Sequence, residues 1–211
     1  MRRGVEIPRK ITFIASFWGL LAKPVDVWSV LEKLAGDRDV VGQVRWVVEG
    51  VQSWGYEIPL RVLAGIVAQK TGLDPRRLMN EAVAEISTRL VPTDCALEFL
   101  KKARERGRVA ILSNTPCRCF IQHFLVTYGV EVDGLFTSDV LLRRKPLRPV
   151  FRYVLGKMGA QPHEAVYVGD GEADLGAMGV GLFTIMVGRG GGHASFQNLC
   201  ELNRWIDEEL K

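Results

Sequence analysis

What this chain lacks narrows its roles before any motif is read. Its four cysteines, Cys95, Cys117, Cys119 and Cys200, form no Cys-x-x-Cys pair and have no neighbouring histidine cluster, which argues against a zinc site. Cys117 and Cys119 stand too close in sequence for an easy bridge. In a reducing compartment all four are expected as thiols, with intracellular disulfides reserved for hyperthermophilic sources. No apolar run approaches the ~20 residues needed to cross a bilayer. Met1-Arg2-Arg3 leads into Glu6, Pro8, Arg9 and Lys10 rather than into an apolar signal region. The expectation is a soluble, cytoplasmic protein with no membrane partner. Net charge is only +4, and the basic residues are dispersed among acidic ones rather than gathered with aromatics. No nucleic-acid partner is expected, and Arg143-Arg144-Lys145 is the one local basic cluster. The glycine-rich run Gly188-Arg189-Gly190-Gly191-Gly192-His193 lacks the spacing and the Lys-Ser/Thr ending of a phosphate loop, so it reads as a mobile linker.

What is present is enough apolar sequence, 47% of 211 residues, to bury a full core. A short apolar strand over residues 11 to 18 is followed by a helix-favouring stretch from about Pro24 to Leu90. Within it Val25–Leu34 and Pro59–Ala68 carry apolar residues at helical spacing, and Asp74-Pro75 supplies an N-cap with proline at the first helical position. After Val91-Pro92-Thr93 helices and strands alternate, the pattern of a parallel sheet with helices on its faces. Asp94 to Arg106 is a helix closed by Gly107. Val109–Leu112, Leu135–Thr137, Ala165–Val168 and Phe183–Val187 are strands. Thr115-Pro116 opens a helix running to about Tyr128, Pro149 to Met158 is another, and Ser195 is placed to cap a last helix ending at Leu210. The expected fold is α/β, a Rossmann-like core over residues 1–21 and 91–211 with a helical cap inserted over residues 22–90.

Three polar elements fall at the C-terminal ends of these strands, where open α/β sheets bind their ligands. They are Ser113-Asn114, Lys145-Pro146, and Gly169-Asp170-Gly171 followed by Asp174. A polyanionic phosphoryl group calls for such a set: a fixed cation, short polar donors and carboxylates able to hold Mg²⁺. In order and local context the trio resembles motifs two, three and four of the haloacid dehalogenase superfamily. Gly169-Asp170-Gly171-x-x-Asp174 is similar to the GDGxND form of phosphoserine-phosphatase-type members, with Ala173 in place of the asparagine. The resemblance implies phosphate binding by Ser113, Asn114 and Lys145, metal binding by Asp170 and Asp174, Mg²⁺ as cofactor, and the inserted helices as a cap.

Motif one departs from the family. The expected pattern, DxDGT after an apolar strand, supplies a nucleophilic and an acid/base aspartate. Registered on Gly19, it places Ser16 at the nucleophile, Trp18 at the acid/base and Leu20 at the threonine. No Asp or Glu occurs between residues 7 and 25, so no nearby register restores it. Serine is a weak nucleophile without an adjacent base, and indole transfers no proton. Three readings follow. One is an impaired phosphatase relative that binds a small phosphorylated ligand or a protein partner. A second is a Mg²⁺-dependent phosphomonoester hydrolase using an altered nucleophile or a metal-activated water. The third is a protein-interaction module displaying Trp28, Trp46 and Trp54 of the cap. Cys117, near a helix N-terminus beside Arg118, is either a favoured thiolate or a small packing residue.

Overall fold

The computed structural model describes residues 11–209, so the expectations for the N-terminal ten residues and for Leu210 lie outside the described residues. Strand β1 (Ile11–Ala15) is buried along its whole length and pairs in parallel with β2 (Gly107–Ser113) on one side and β4 (Ala165–Gly169) on the other. With β3 (Gly134–Thr137), β5 (Phe183–Val187) and β6 (Ala194–Phe196) the sheet is six-stranded and wholly parallel, in the order β3-β2-β1-β4-β5-β6. Burial on both faces explains why the central strands read as continuous apolar runs. The chain reverses its direction of travel across the sheet between β1 and β4, so the ends of β1, β2 and β4 converge on one crevice.

Four helices lie between β1 and the rest of the core: α1 (Val27–Ala35), α2 (Arg38–Ser53), α3 (Leu60–Thr71) and α4 (Pro75–Thr88). Asp26, Asp37 and Asp74 each accept a backbone N–H at their N-termini, supplying three of the start signals. α3 buries Leu60, Leu63, Ala64 and Val67, and α4 buries Leu78, Ala82 and Ile86; both are single apolar stripes at helical spacing. These stripes form the interior of the helical cap. α5 (Ala96–Arg106), α6 (Arg118–Thr127), a four-residue α7 (Ser138–Leu141), α8 (Arg148–Met158) and α9 (Leu199–Glu209) complete the chain, with a 3₁₀ segment over Glu172–Val180.

Several local expectations are corrected. α6 begins at Arg118 with Cys117 as its N-cap, not at Thr115, whose own N–H is taken by the Ser138 hydroxyl. Gly107 does not cap α5 in a left-handed turn; its backbone is extended and opens β2. A Cβ there would lie 1.9 Å from the Ile11 carbonyl oxygen. Ser195 belongs to β6, and the Asn198 side chain instead accepts the Glu201 N–H at the start of α9. The glycine-rich run is a built connection rather than a free linker. His193 N–H donates to the Thr184 carbonyl and His193 Nδ1 accepts the Thr184 N–H.

The cysteines are paired, not thiols. Cys95–Cys200 joins the start of α5 to the start of α9, and Cys117–Cys119 closes across Arg118. The expectation of an awkward Cys-x-Cys bridge failed because Cys117 is extended while Cys119 is already helical, which brings the two Cα atoms to 5.2 Å. For Cys95–Cys200 the enclosed 105 residues correspond to about 4–5 kcal/mol in the chain-entropy account.

Candidate functional site

At the crevice, Lys145 reaches from the loop before α8 into the interior and is only 5% exposed. Its Nζ lies 2.6 Å from Asp174 Oδ1, 2.9 Å from the Tyr167 hydroxyl, 3.0 Å from Ser16 Oγ and 3.0 Å from the Leu112 carbonyl oxygen. Tyr167 donates its own proton to Asp174 Oδ1 at 2.5 Å. Asp174 Oδ2 accepts the backbone N–H groups of Asp170 and Gly171 at 3.0 and 2.9 Å. Four donors thus use the four acceptor positions of Asp174, and Lys145 has no ammonium proton left over. Burial alone would raise the Asp174 carboxyl. The Lys145 charge, the hydrogen bonds from Lys145 and Tyr167, and the Gly171 N–H outweigh it and hold the group below the usual carboxylate range. Burial, then the Asp174 charge, drives the Tyr167 phenol well above its ordinary value, so it stays protonated.

The other expected residues divide. Of Asn114 the resemblance gives the phosphate the backbone N–H; its side-chain amide brackets Lys145, accepting the Lys145 N–H at 2.8 Å and donating to its carbonyl at 3.0 Å. The Lys145-Pro146 bond it holds is cis. Ser113 is 1% exposed, and its hydroxyl is buried with no hydrogen-bond partner among the described residues. Ser16 sits one residue beyond β1, its N–H bonded to the Val168 carbonyl. Its hydroxyl meets the Lys145 ammonium, with no carboxylate or imidazole among its hydrogen-bond partners. Sequence reasoning missed Tyr167, although a tyrosine inside an apolar strand signals a buried hydroxyl in need of a partner.

A protein-family model for haloacid dehalogenase-like hydrolases matches residues 17–179, beginning one residue after Ser16. The chain belongs to that family. Among solved structures, a haloacid dehalogenase-like chain of this kind is similar to the 2-haloacid dehalogenase from Pseudomonas syringae pv. tomato DC3000. Identity is 15% and TM-score 0.70, over 94% of this chain and 99% of that one. It is also similar to the L-2-haloacid dehalogenase from Xanthobacter autotrophicus with chloropropionic acid covalently bound. There identity is 18% and TM-score 0.67, covering 94% and 98%. At such identities the likeness establishes the fold. No curated protein matches the sequence.

Within this haloacid dehalogenase-like site, Trp18 is half-buried and packs edge-on against Phe17 and Phe120, with ring centroids 5.0 and 6.2 Å away. It walls a cavity of about 280 Å³ between core and cap, shared with Val25, Trp28, Leu63, Asn114 and Arg144. A second cavity, of about 460 Å³, opens on the other side of Gly19 and is lined by Lys23, Asp94, Asp170 and Asn198. Gly19 has a left-handed φ of +85°, and a Cβ there would fall 2.0 Å from Asp170 Oδ2, so glycine is required on both counts.

Mg²⁺ is the cofactor that the motifs imply, and the donor set does not fit it. A hard cation needs several oxygen ligands. Asp174 is fully engaged, Ser16 Oγ faces an ammonium, and Asp170 is the one motif carboxylate left. Among the described residues no three His, Cys, Asp or Glu side chains cluster as a metal site. The Asp170 carboxyl is instead raised to about 6, first by burial and then by the Asp174 charge, against the opposing pull of Lys145. A folded-state value above the unfolded one stabilises the fold at low pH and loses that contribution as pH rises through about 6. The urea midpoint is therefore expected to fall between pH 4 and pH 7. Asp170→Asn should flatten this slope and raise the midpoint at pH 7, as a titration series of both proteins would show.

Proposed function

We propose that this chain is a non-hydrolysing member of the haloacid dehalogenase-like hydrolases that binds a small phosphorylated ligand, with an apolar or planar body, between core and cap. The observation that carries this reading is the end of β1. Ser16, at the position that the family resemblance gives to the nucleophile, has its hydroxyl against the Lys145 ammonium, and that ammonium is neutralised by Asp174. A covalent route needs a nucleophile, and among the described residues no carboxylate or imidazole is hydrogen-bonded to the Ser16 hydroxyl to take its proton. Trp18 offers no proton transfer at the neighbouring position. A water activated on a metal between Asp170 and Asp174 has no ligand set here. The cavity under the cap supports binding: Trp18 and Trp28 offer faces for a planar or apolar body, and Arg144 brings a guanidinium to an anionic end.

The test is turnover and binding on one preparation. Purified protein is expected to show no hydrolysis of an aryl phosphate with or without Mg²⁺, and no shift in melting temperature on adding Mg²⁺. Calorimetric titration with the same aryl phosphate should give saturable binding that weakens in Arg144→Ala. Mg²⁺-dependent turnover lost in Asp170→Asn would overturn the reading. So would an absence of binding. Ser16→Asp is expected to remain inactive, because an introduced carboxylate would pair with Lys145 and join an already closed network.

A further inference from the structure

The Cys117–Cys119 disulfide is a reactive group near this site that the proposed binding role does not use. It differs from Cys95–Cys200 in the length of chain that it closes. It encloses a single residue rather than tying chain ends 105 residues apart, so it constrains the unfolded chain little. It sits at the N-terminus of the ten-residue α6, where Cys117 is the N-cap and its own side chain makes no capping hydrogen bond. Both cysteines are partly exposed. The segment is also held without them: the Arg118 N–H donates to Asp139 Oδ2, the Thr115 hydroxyl to the Cys117 carbonyl, and the Leu60 N–H of the cap to the Pro116 carbonyl. Opening the bond therefore leaves these anchors in place.

We propose that Cys117 and Cys119 form a thiol–disulfide exchange site that oxidises dithiols. A substrate thiolate attacks one of the two sulfurs, forming a mixed disulfide and breaking the Cys117–Cys119 bond. The other cysteine departs as a thiolate. With Cys117 as the leaving group, the thiolate sits at the N-cap of α6, at the positive end of the helix, the setting that makes a cysteine sulfur a good leaving group. The substrate's second thiolate then attacks its own sulfur in the mixed disulfide, closing the substrate disulfide and releasing the second cysteine. Two electrons pass from substrate to protein, and the two thiol protons end on Cys117 and Cys119. A small disulfide such as oxidised glutathione restores the protein by the same steps in reverse, leaving two molecules of reduced glutathione. The Asp139 carboxylate and the Arg118 guanidinium are the charged neighbours on these residues' own turn and on α7.

The test uses the full chain, a synthetic peptide with two cysteines, and oxidised glutathione. Wild-type protein is expected to accelerate peptide oxidation, with loss of the effect in Cys117→Ser and in Cys119→Ser and retention in Cys95→Ser/Cys200→Ser. In a glutathione titration, mass spectrometry of alkylated fragments should show the 117–119 bond opening while 95–200 stays closed. Alkylating the reduced wild type should abolish activity in the same way, which guards against a variant that fails to fold. A peptide oxidised no faster than in buffer would overturn the assignment, as would acceleration that survives in Cys117→Ser/Cys119→Ser. Protein that takes up glutathione yet never oxidises the peptide would overturn it too, leaving a site for small thiols alone.

Discussion

Asp174→Ala is expected to destabilise the fold by about 3–5 kcal/mol, because it strands the buried ammonium of Lys145, a residue only 5% exposed. Lys145 would keep only neutral acceptors, Tyr167 would lose the acceptor for its proton, and the Asp170 and Gly171 N–H groups would be left open at the turn after β4. Urea unfolding at pH 7 measures the loss directly. The double variant Lys145→Met/Asp174→Leu should recover much of it, since removing both charges removes the cost of burying either. A single-variant loss below about 1 kcal/mol would show that water reaches the pair and that the network is an ordinary surface bridge. The sign with pH follows from the depressed Asp174 carboxyl. Its contribution is present at neutral pH and is lost as pH falls through its folded-state value, below the ordinary carboxylate range. Asp170 acts in the opposite sense between pH 4 and pH 7, so the two sites separate on a stability profile.

This network also marks where the sequence stops being legible. The alternation of short apolar strands with helical stretches specified a parallel sheet, because period and burial are local properties of the chain. The Asp74-Pro75 start of α4 was readable for the same reason. The ordered trio of Ser113-Asn114, Lys145 and Asp170 with Asp174 gave the family, which the match over residues 17–179 shows. The partnerships inside the trio were not legible. Nothing in Gly169-Asp170-Gly171-x-x-Asp174 says that Asp174 spends every lone pair on its own turn, on Lys145 and on a tyrosine in the preceding strand. Nor does Ser113-Asn114 reveal that the amide braces the Lys145 backbone while the serine is sealed in. The same limit applies to Arg143-Arg144-Lys145. The sequence shows three adjacent cations, but folding sends Arg143 over the Tyr56 ring at 4.0 Å, Arg144 to Glu57 and Lys145 into the core. The disulfides were misread because bridge geometry depends on backbone that only the fold supplies.

Glu57→Ala is the second large effect, and it reports on the cap rather than the sheet. Glu57 lies on the connection between α2 and α3, with its carboxylate fully buried. It accepts from Gln52 Nε2 and the Ile58 N–H within the cap, and from the Ser138 hydroxyl and the Arg144 guanidinium in the core. Around it the Arg144 N–H bonds to the Gly55 carbonyl and the Glu57 N–H to the Leu142 carbonyl. One side chain therefore latches the cap onto the loop that carries Lys145. Removing it leaves Arg144 half of a broken pair and takes the acceptor from the Ile58 N–H and the Gln52 amide, while Ser138 keeps the Thr115 carbonyl, at an expected cost of about 3–5 kcal/mol. If the latch acts between two bodies, the loss falls unevenly. Amide hydrogen exchange should speed up across α1–α4 and at residues 142–145 while the amides of β1, β2 and β4 keep their protection. Ligand affinity should fall with it, because Arg144 loses the partner that holds it beside Trp18 and Trp28. Exchange that rises equally in sheet and cap would show one cooperative unit and remove the latch. Glu57→Gln separates charge from shape: its single carbonyl oxygen can still accept from Gln52 and Ile58 but the ion pair is lost, so an intermediate loss confined to the cap is the outcome that assigns the latch to the Arg144 bridge.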